Sequence, residues 1–226
     1  MAGLGTVIGA LLVFVKRDWN SRSLAFYLGL ASGVMVAVVV FDLLPSALVF
    51  ASFYKVLSGG LLGILIMLAV DLGLTLGNSK SQTLLGLGYF IMLGIAVHDL
   101  PEGMAIAMGS GMKVRTGVVI AMGIGIHNIP EGMAIAAPLL MAGMKRWIIF
   151  MQMLLIALIT PLGTILGEYL LHVLPAFLPL LLGMASGIMT YLVIFHLWPQ
   201  ARLKDLSSCR WGFYLGLLII LAATYL

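Results

Sequence analysis

Apolar residues run along this chain in long stretches broken by only a few polar positions each time. Stretches long enough to cross about 30 Å of hydrocarbon read as membrane helices. They fall at 2–15, 25–50, 58–76, 84–111, 116–141, 147–171, 177–200 and 211–226. The pattern predicts eight transmembrane helices, spans 1 to 8, in one transmembrane domain over residues 1–226. The first run has no basic segment before it and no small-residue cleavage site after it, so it reads as a helix rather than a leader. The connections are too short for a soluble domain or a long linker. The fold class is therefore an all-α, polytopic membrane protein.

Composition strengthens this reading. Of 226 residues, 62% are hydrophobic and 9% charged, and the mean hydropathy is +1.18. That leaves too little polar surface to cover a soluble globule. The formal net charge of +4 does not point to nucleic acid, because the twelve Lys and Arg are scattered through short connections. They report orientation instead. With the N-terminus outside, nine lie in inner connections and only Lys55, Lys113 and Arg115 in outer ones. The positive-inside rule then places both termini outside a cell (inner or plasma) membrane. The lone Cys209 falls in the last inner connection and rules out an internal disulfide.

Two repeats organise the chain. His98-Asp-Leu-Pro-Glu-Gly-Met-Ala-Ile-Ala107 returns as His127-Asn-Ile-Pro-Glu-Gly-Met-Ala-Ile-Ala136, an offset of 29. An offset of 154 carries Thr6, Gly9, Gly29, Gly33, Asp42 and Pro45 onto Thr160, Gly163, Gly183, Gly187, His196 and Pro199. Spans 1–3 (about 2–76) thus resemble spans 6–8 (about 147–226), around a repeated central pair, spans 4–5 (about 84–141). Related helices lie an odd number of crossings apart. This 3+2+3 arrangement therefore contains inverted repeats, the architecture of secondary transporters with a midplane site. The spaced glycines read as helix-packing positions.

The repeated motif carries the chemistry. Six of the eight acids and three of the four histidines fall inside predicted spans, where each is costly. His98 and Glu102 are four residues apart and Asp99 and Glu102 three, so all three share a helix face; His127, Asn128 and Glu131 repeat that geometry. Pro101 and Pro130 disturb the carbonyls one turn earlier, near Val97 and Ile126. If spans 4 and 5 pack antiparallel with the motifs facing, two imidazoles and two carboxylates converge. Such a set suits zinc and also cobalt, iron, manganese or cadmium. Two carboxylates, two neutral imidazoles and one divalent ion sum to zero charge, whereas the empty site must protonate or bear several kcal/mol of desolvation. Asp99 and Asn128 add oxygens for an adjacent ion or a proton. The bland alternative is an interhelical hydrogen-bond network, which does not call for buried carboxylates.

Other polar residues are weighed singly. Asp42 and His196 are repeat mates at opposite mouths, Asp42 recruiting cations outside and His196 releasing them inside. Glu168 and His172 sit near the outer end of span 6, and Asp71 near the inner end of span 3. Met104 and Met133 are lining positions. A competing function is an intramembrane metal-dependent hydrolase working through metal-bound water. Four protein ligands leave such an enzyme no open position, and no H-E-x-x-H or nucleophile motif occurs.

At these residues the chain resembles the ZIP family of divalent metal transporters, in particular its short prokaryotic GufA-like branch. The resemblance spans nearly the whole chain. It implies no enzyme activity, metal transport toward the cytoplasm, an elevator-like movement of spans 1, 4, 5 and 6 against 2, 3, 7 and 8, and a homodimer. Carried over by position, His98, Glu102, His127 and Glu131 hold the main ion, and Asp99, Asn128, Glu102 and Glu131 the adjacent one. Three departures stand out. Asp99 replaces a usual Asn, and His127 a frequent Gln. Thr160 precedes Pro161 where relatives carry Glu, and Glu168 is no obvious substitute. The connection Gly77 to Thr83 has no histidine.

Overall fold

The computed structural model describes residues 2–77, 83–173 and 177–225, and no strand occurs among them. Seven helices are long and apolar enough to cross a bilayer: α2 Ser21–Val49, α3 Phe53–Gly73, α4 Leu84–Gly111, α5 Val114–Met141, α6 Arg146–Tyr169, α7 Pro179–Lys204 and α8 Leu206–Thr224. The first apolar run folds as α1, Leu4–Val15, of 12 residues. At 1.5 Å per residue it is about 18 Å long, shorter than the other seven. The connection holding Lys80 lies outside the described residues.

Hydropathy misplaces helix ends where a polar side chain caps the backbone. Asn20 accepts a hydrogen bond from the Ser23 amide at 2.9 Å, so α2 starts at Ser21 rather than 25. Asp205 accepts from the Ser208 amide at 2.8 Å, and α8 starts at Leu206 rather than 211. Caps of this kind contribute about 1 kcal/mol. One consequence corrects an expectation: Cys209 is not in a connection but fully buried in the first turns of α8, its carbonyl against Gly29.

The packing has the two-fold form that inverted repeats predict. Helix α1 packs on α5 and α6 on α4; α2 packs on α8 and α3 on α7; α4 meets α7 and α5 meets α2. Each pairing is the image of another under the offsets 154 and 29. Close approach is enforced by missing side chains. A Cβ at Gly132 would strike the Thr6 carbonyl, and one at Gly103 the Thr160 carbonyl. Gly33 and Gly187 are likewise pressed against the backbone of α8 and α3, the packing role expected of them.

Helices α2 and α7 each contain one π-helical stretch, Val39–Leu43 and Leu192–Leu197. These are matched positions just ahead of Pro45 and Pro199. A proline has no amide to close an ordinary turn, and π turns gather where a helix must present a side chain for use. The turns carry Asp42 and His196.

Candidate metal centre

Helices α4 and α5 are antiparallel neighbours joined by a tight turn at Lys113, and both stay helical across Pro101 and Pro130. The hairpin brings the two motif copies face to face. His98, Asp99 and Glu102 meet His127, Asn128 and Glu131, and none of the six is more than 2% exposed. The pairs cross between helices. His98 Nε2 lies 3.4 Å from Glu131 Oε2, and His127 Nε2 lies 3.2 Å from Glu102 Oε2. Asp99 Oδ1 is 3.7 Å from His98 Nε2. One ligand atom each from His98, Asp99 and Glu102 falls within 4.8 Å of the others.

The backbone decides what His98 offers. Its Nδ1 donates to the Gly94 carbonyl at 3.0 Å; a carbonyl only accepts, so Nδ1 carries a proton, and the neutral ring presents a lone pair at Nε2. That lone pair faces Glu131 and Asp99 and has no hydrogen-bond partner. Both oxygens of Asp99 and of Glu131, Oε1 of Glu102 and Oδ1 of Asn128 also lack one. A buried polar atom left this way costs roughly 1–3 kcal/mol, more when charged. Acceptors aimed at acceptors are reconciled by a cation. Two ligands at about 2.0–2.1 Å from a tetrahedral ion lie roughly 3.3–3.4 Å apart, which the His98–Glu131 pair matches; the His127–Glu102 pair, at 3.2 Å, is a hydrogen bond.

The surroundings are unequal on the two sides. On the side of the α4–α5 turn, a cavity of about 250 Å³ runs to Glu102 and His127, lined also by Asp42, Ser46, Met108 and Thr116. Asp42 is exposed and accepts from the Ser46 hydroxyl at 3.3 Å. On the other side the space between α4, α5 and α7 is filled by apolar residues including Ile91, Ile95, Ile135, Leu139 and Leu192. His196 lies there, donating from Nε2 to Asp71 Oδ2 at 3.1 Å.

Some expected site residues are brought to the cluster and some are not. Thr160 is buried beside it, its carbonyl against Gly103, and its hydroxyl is unpartnered, as is that of its mate Thr6. Glu168 is exposed on α6 and does not join; the His172 side chain lies outside those described. Met104 is buried in the core and Met133 packs against it, so Met108 is the lining methionine. The partnership of Asp71 with His196 and Tyr191 has no local signal, since these residues are 120 or more positions apart. Asp71 was legible only as one more acid in an apolar run.

Comparison with known proteins gives a consistent result. Residues 75–223 match the family model described as ZIP Zinc transporter. The zinc transporter ZTP29 of Arabidopsis thaliana is 34% identical over 226 residues, covering 89% of this chain and 82% of that protein. The zinc transporter ZupT of Chlorobium luteolum is 34% identical over 233 residues, covering 89% and 85%. The ZupT of Chlorobaculum parvum is 31% identical over 253 residues, covering 100% and 94%.

Proposed function

Because the chain belongs to the ZIP zinc transporter family, we propose that it carries zinc across the membrane toward the cytoplasm, with the ion held between α4 and α5. One observation carries the reading. His98, anchored through Nδ1 to the Gly94 carbonyl, directs Nε2 at the carboxylates of Glu131 and Asp99, and none of these atoms has a hydrogen-bond partner, an arrangement that a cation between them satisfies. His98, Glu102, His127 and Glu131 are the ligands of the main ion, and their summed charge with a divalent ion is zero. Asp99 and Asn128 supply oxygens to its edge, where a second ion or a proton offsets the Asp99 charge. The same donor set admits cadmium, cobalt, iron and manganese.

Access is by the cavity at the α4–α5 turn, with Asp42 drawing cations in and the His196 side giving the exit. Two blocks move against each other, α1/α4/α5/α6 and α2/α3/α7/α8. What supports the division is that each helix finds its main partners inside its own block, with α4·α7 and α5·α2 as the seams between. Both termini face outside a cell membrane, an orientation supported by the basic residues of the connections, and the working unit is a homodimer. The family is one of transporters, and nothing favours the hydrolase alternative. Zinc uptake into sealed proteoliposomes tests the reading. Uptake that depends on Glu102 and Glu131 supports it; equal flux through Glu102→Ala and wild-type protein overturns it.

A further inference from the structure

A second cluster lies away from the metal centre, on the side opposite the cavity. Asp71 of α3 accepts two hydrogen bonds on one oxygen, from the Tyr191 hydroxyl at 2.9 Å and from His196 Nε2 at 3.1 Å. His196 in turn lies flat against Phe90 of α4, with ring centroids 3.9 Å apart and planes inclined by 27°. Three helices therefore meet at one imidazole, and the contact with Phe90 crosses the α4·α7 seam. Tyr191 and Phe90 are only 4% and 5% exposed. Phe90 stands eight residues before His98, about 12 Å along the helix, directly over the apolar plug.

We infer that Phe90 stacked on His196 is the latch that holds the metal centre shut on this side, and that Asp71 and Tyr191 are the positioning residues that set the His196 ring. The internal symmetry supplies the argument. His196 and Asp42 are mates, in matched π turns, yet Asp42 is exposed to a cavity while His196 is clamped. The mate of Phe90 is Val119, which is 60% exposed and is not among the residues lining the cavity. The mate of cavity-lining Thr116 is Leu87, which is 5% exposed. One side of the centre is thus open where the symmetry-related side is closed, and the aromatic stack with its two-bond strut is what the closed side has and the open side lacks. An ion leaving past Leu87 requires the Phe90 ring to slide off His196. Asp71 acts here through geometry: its bond to Nε2 fixes which ring edge points to α3, and the Tyr191 bond fixes the carboxylate.

The inference rests on the transport reading only for what the latch controls; the latch itself is tested without any ion. In a Cys209→Ser background, purified protein carrying Leu87→Cys or Thr116→Cys is treated with a polar maleimide. Leu87→Cys reacts slowly and Thr116→Cys quickly. Adding Phe90→Ala or Tyr191→Phe speeds Leu87→Cys by about tenfold and slows Thr116→Cys, as a population shift between two closed ends requires. Phe90→Tyr, which keeps the ring, leaves both rates as they were. Leu87→Cys rates unmoved by Phe90→Ala and Tyr191→Phe overturn the latch. So does acceleration of both cysteines together, which marks general loosening. Uptake assays on the same variants report separately on transport.

Discussion

The α4 and α5 copies of one ten-residue motif are put to unequal use. At the cavity end, His127 of α5 and its partner Glu102 of α4 border the open space, and Asn128 of α5 spends its amide on the Ala2 carbonyl at 3.4 Å. In α4, His98 is fully buried and tethered to Gly94, and Asp99 has neither oxygen partnered. The crossed pairing thus yields one half that receives, His127 with Glu102, and one that is sealed, His98 with Glu131. The difference comes from what surrounds each copy, above all from which side of the hairpin the apolar plug occupies. The extra acid, Asp99, sits in the sealed half, buried and without a hydrogen-bond partner.

Four experiments break or sharpen this contrast. The largest effect is expected from removing either carboxylate of the crossed pairs. Glu102→Ala and Glu131→Ala should each lower zinc uptake by about a hundredfold or more, since each strands a buried imidazole and removes a ligand. Similar losses in both indicate one shared ion; a loss confined to Glu102→Ala would make the sealed half dispensable. Next, Asp99→Asn makes the two copies equal in charge and should weaken zinc binding by about tenfold in equilibrium dialysis. Asn128→Asp placed in that background returns the charge to the cavity half and shows whether its location matters. Third, the halves differ in reach. His127→Cys should react with a polar maleimide about tenfold faster than His98→Cys. Comparable rates would deny the sealed half its seal. The smallest effect is at the rim. Asp42→Asn should raise the KM for zinc about two- to fivefold with the maximal rate unchanged, because long-range attraction of the ion is lost and its ligands are not. An unaltered KM removes Asp42 from the pathway.

Much of this was legible before any coordinates. Uninterrupted apolar runs locate helices because a bilayer dictates their length and composition, and the repeated His, Pro, Glu and Gly identify a site because buried carboxylates have few other uses. The offset of 154 implied that helix pairings come as matched images, without saying which helices pair. Three things were not readable. Helix ends at Ser21 and Leu206 depend on Asn20 and Asp205, whose polarity reads as connection when only hydropathy is counted. The π turns obey no periodicity that differs from the helix around them; only Pro45 and Pro199 hint at them. The Asp71, Tyr191 and His196 cluster depends on tertiary packing across three helices, and neither Tyr191 nor Asp71 belongs to a motif. Glu168 shows the converse: an acid in an apolar run that the fold leaves facing outward.

The close approach at Gly103 and Gly132 gives the motif a second meaning. In the proposed site its His and Glu would answer to the ion, but its Gly answers to a neighbouring backbone, that of α6 at Thr160 and that of α1 at Thr6. With carbonyl pressed on Cα there are no side chains at that point to slip or re-pack. A ligand helix and its outer companion are geared together at the very residue next to the metal-facing carboxylate. Whatever displaces Glu102 drags α6 with it, and whatever displaces Glu131 drags α1.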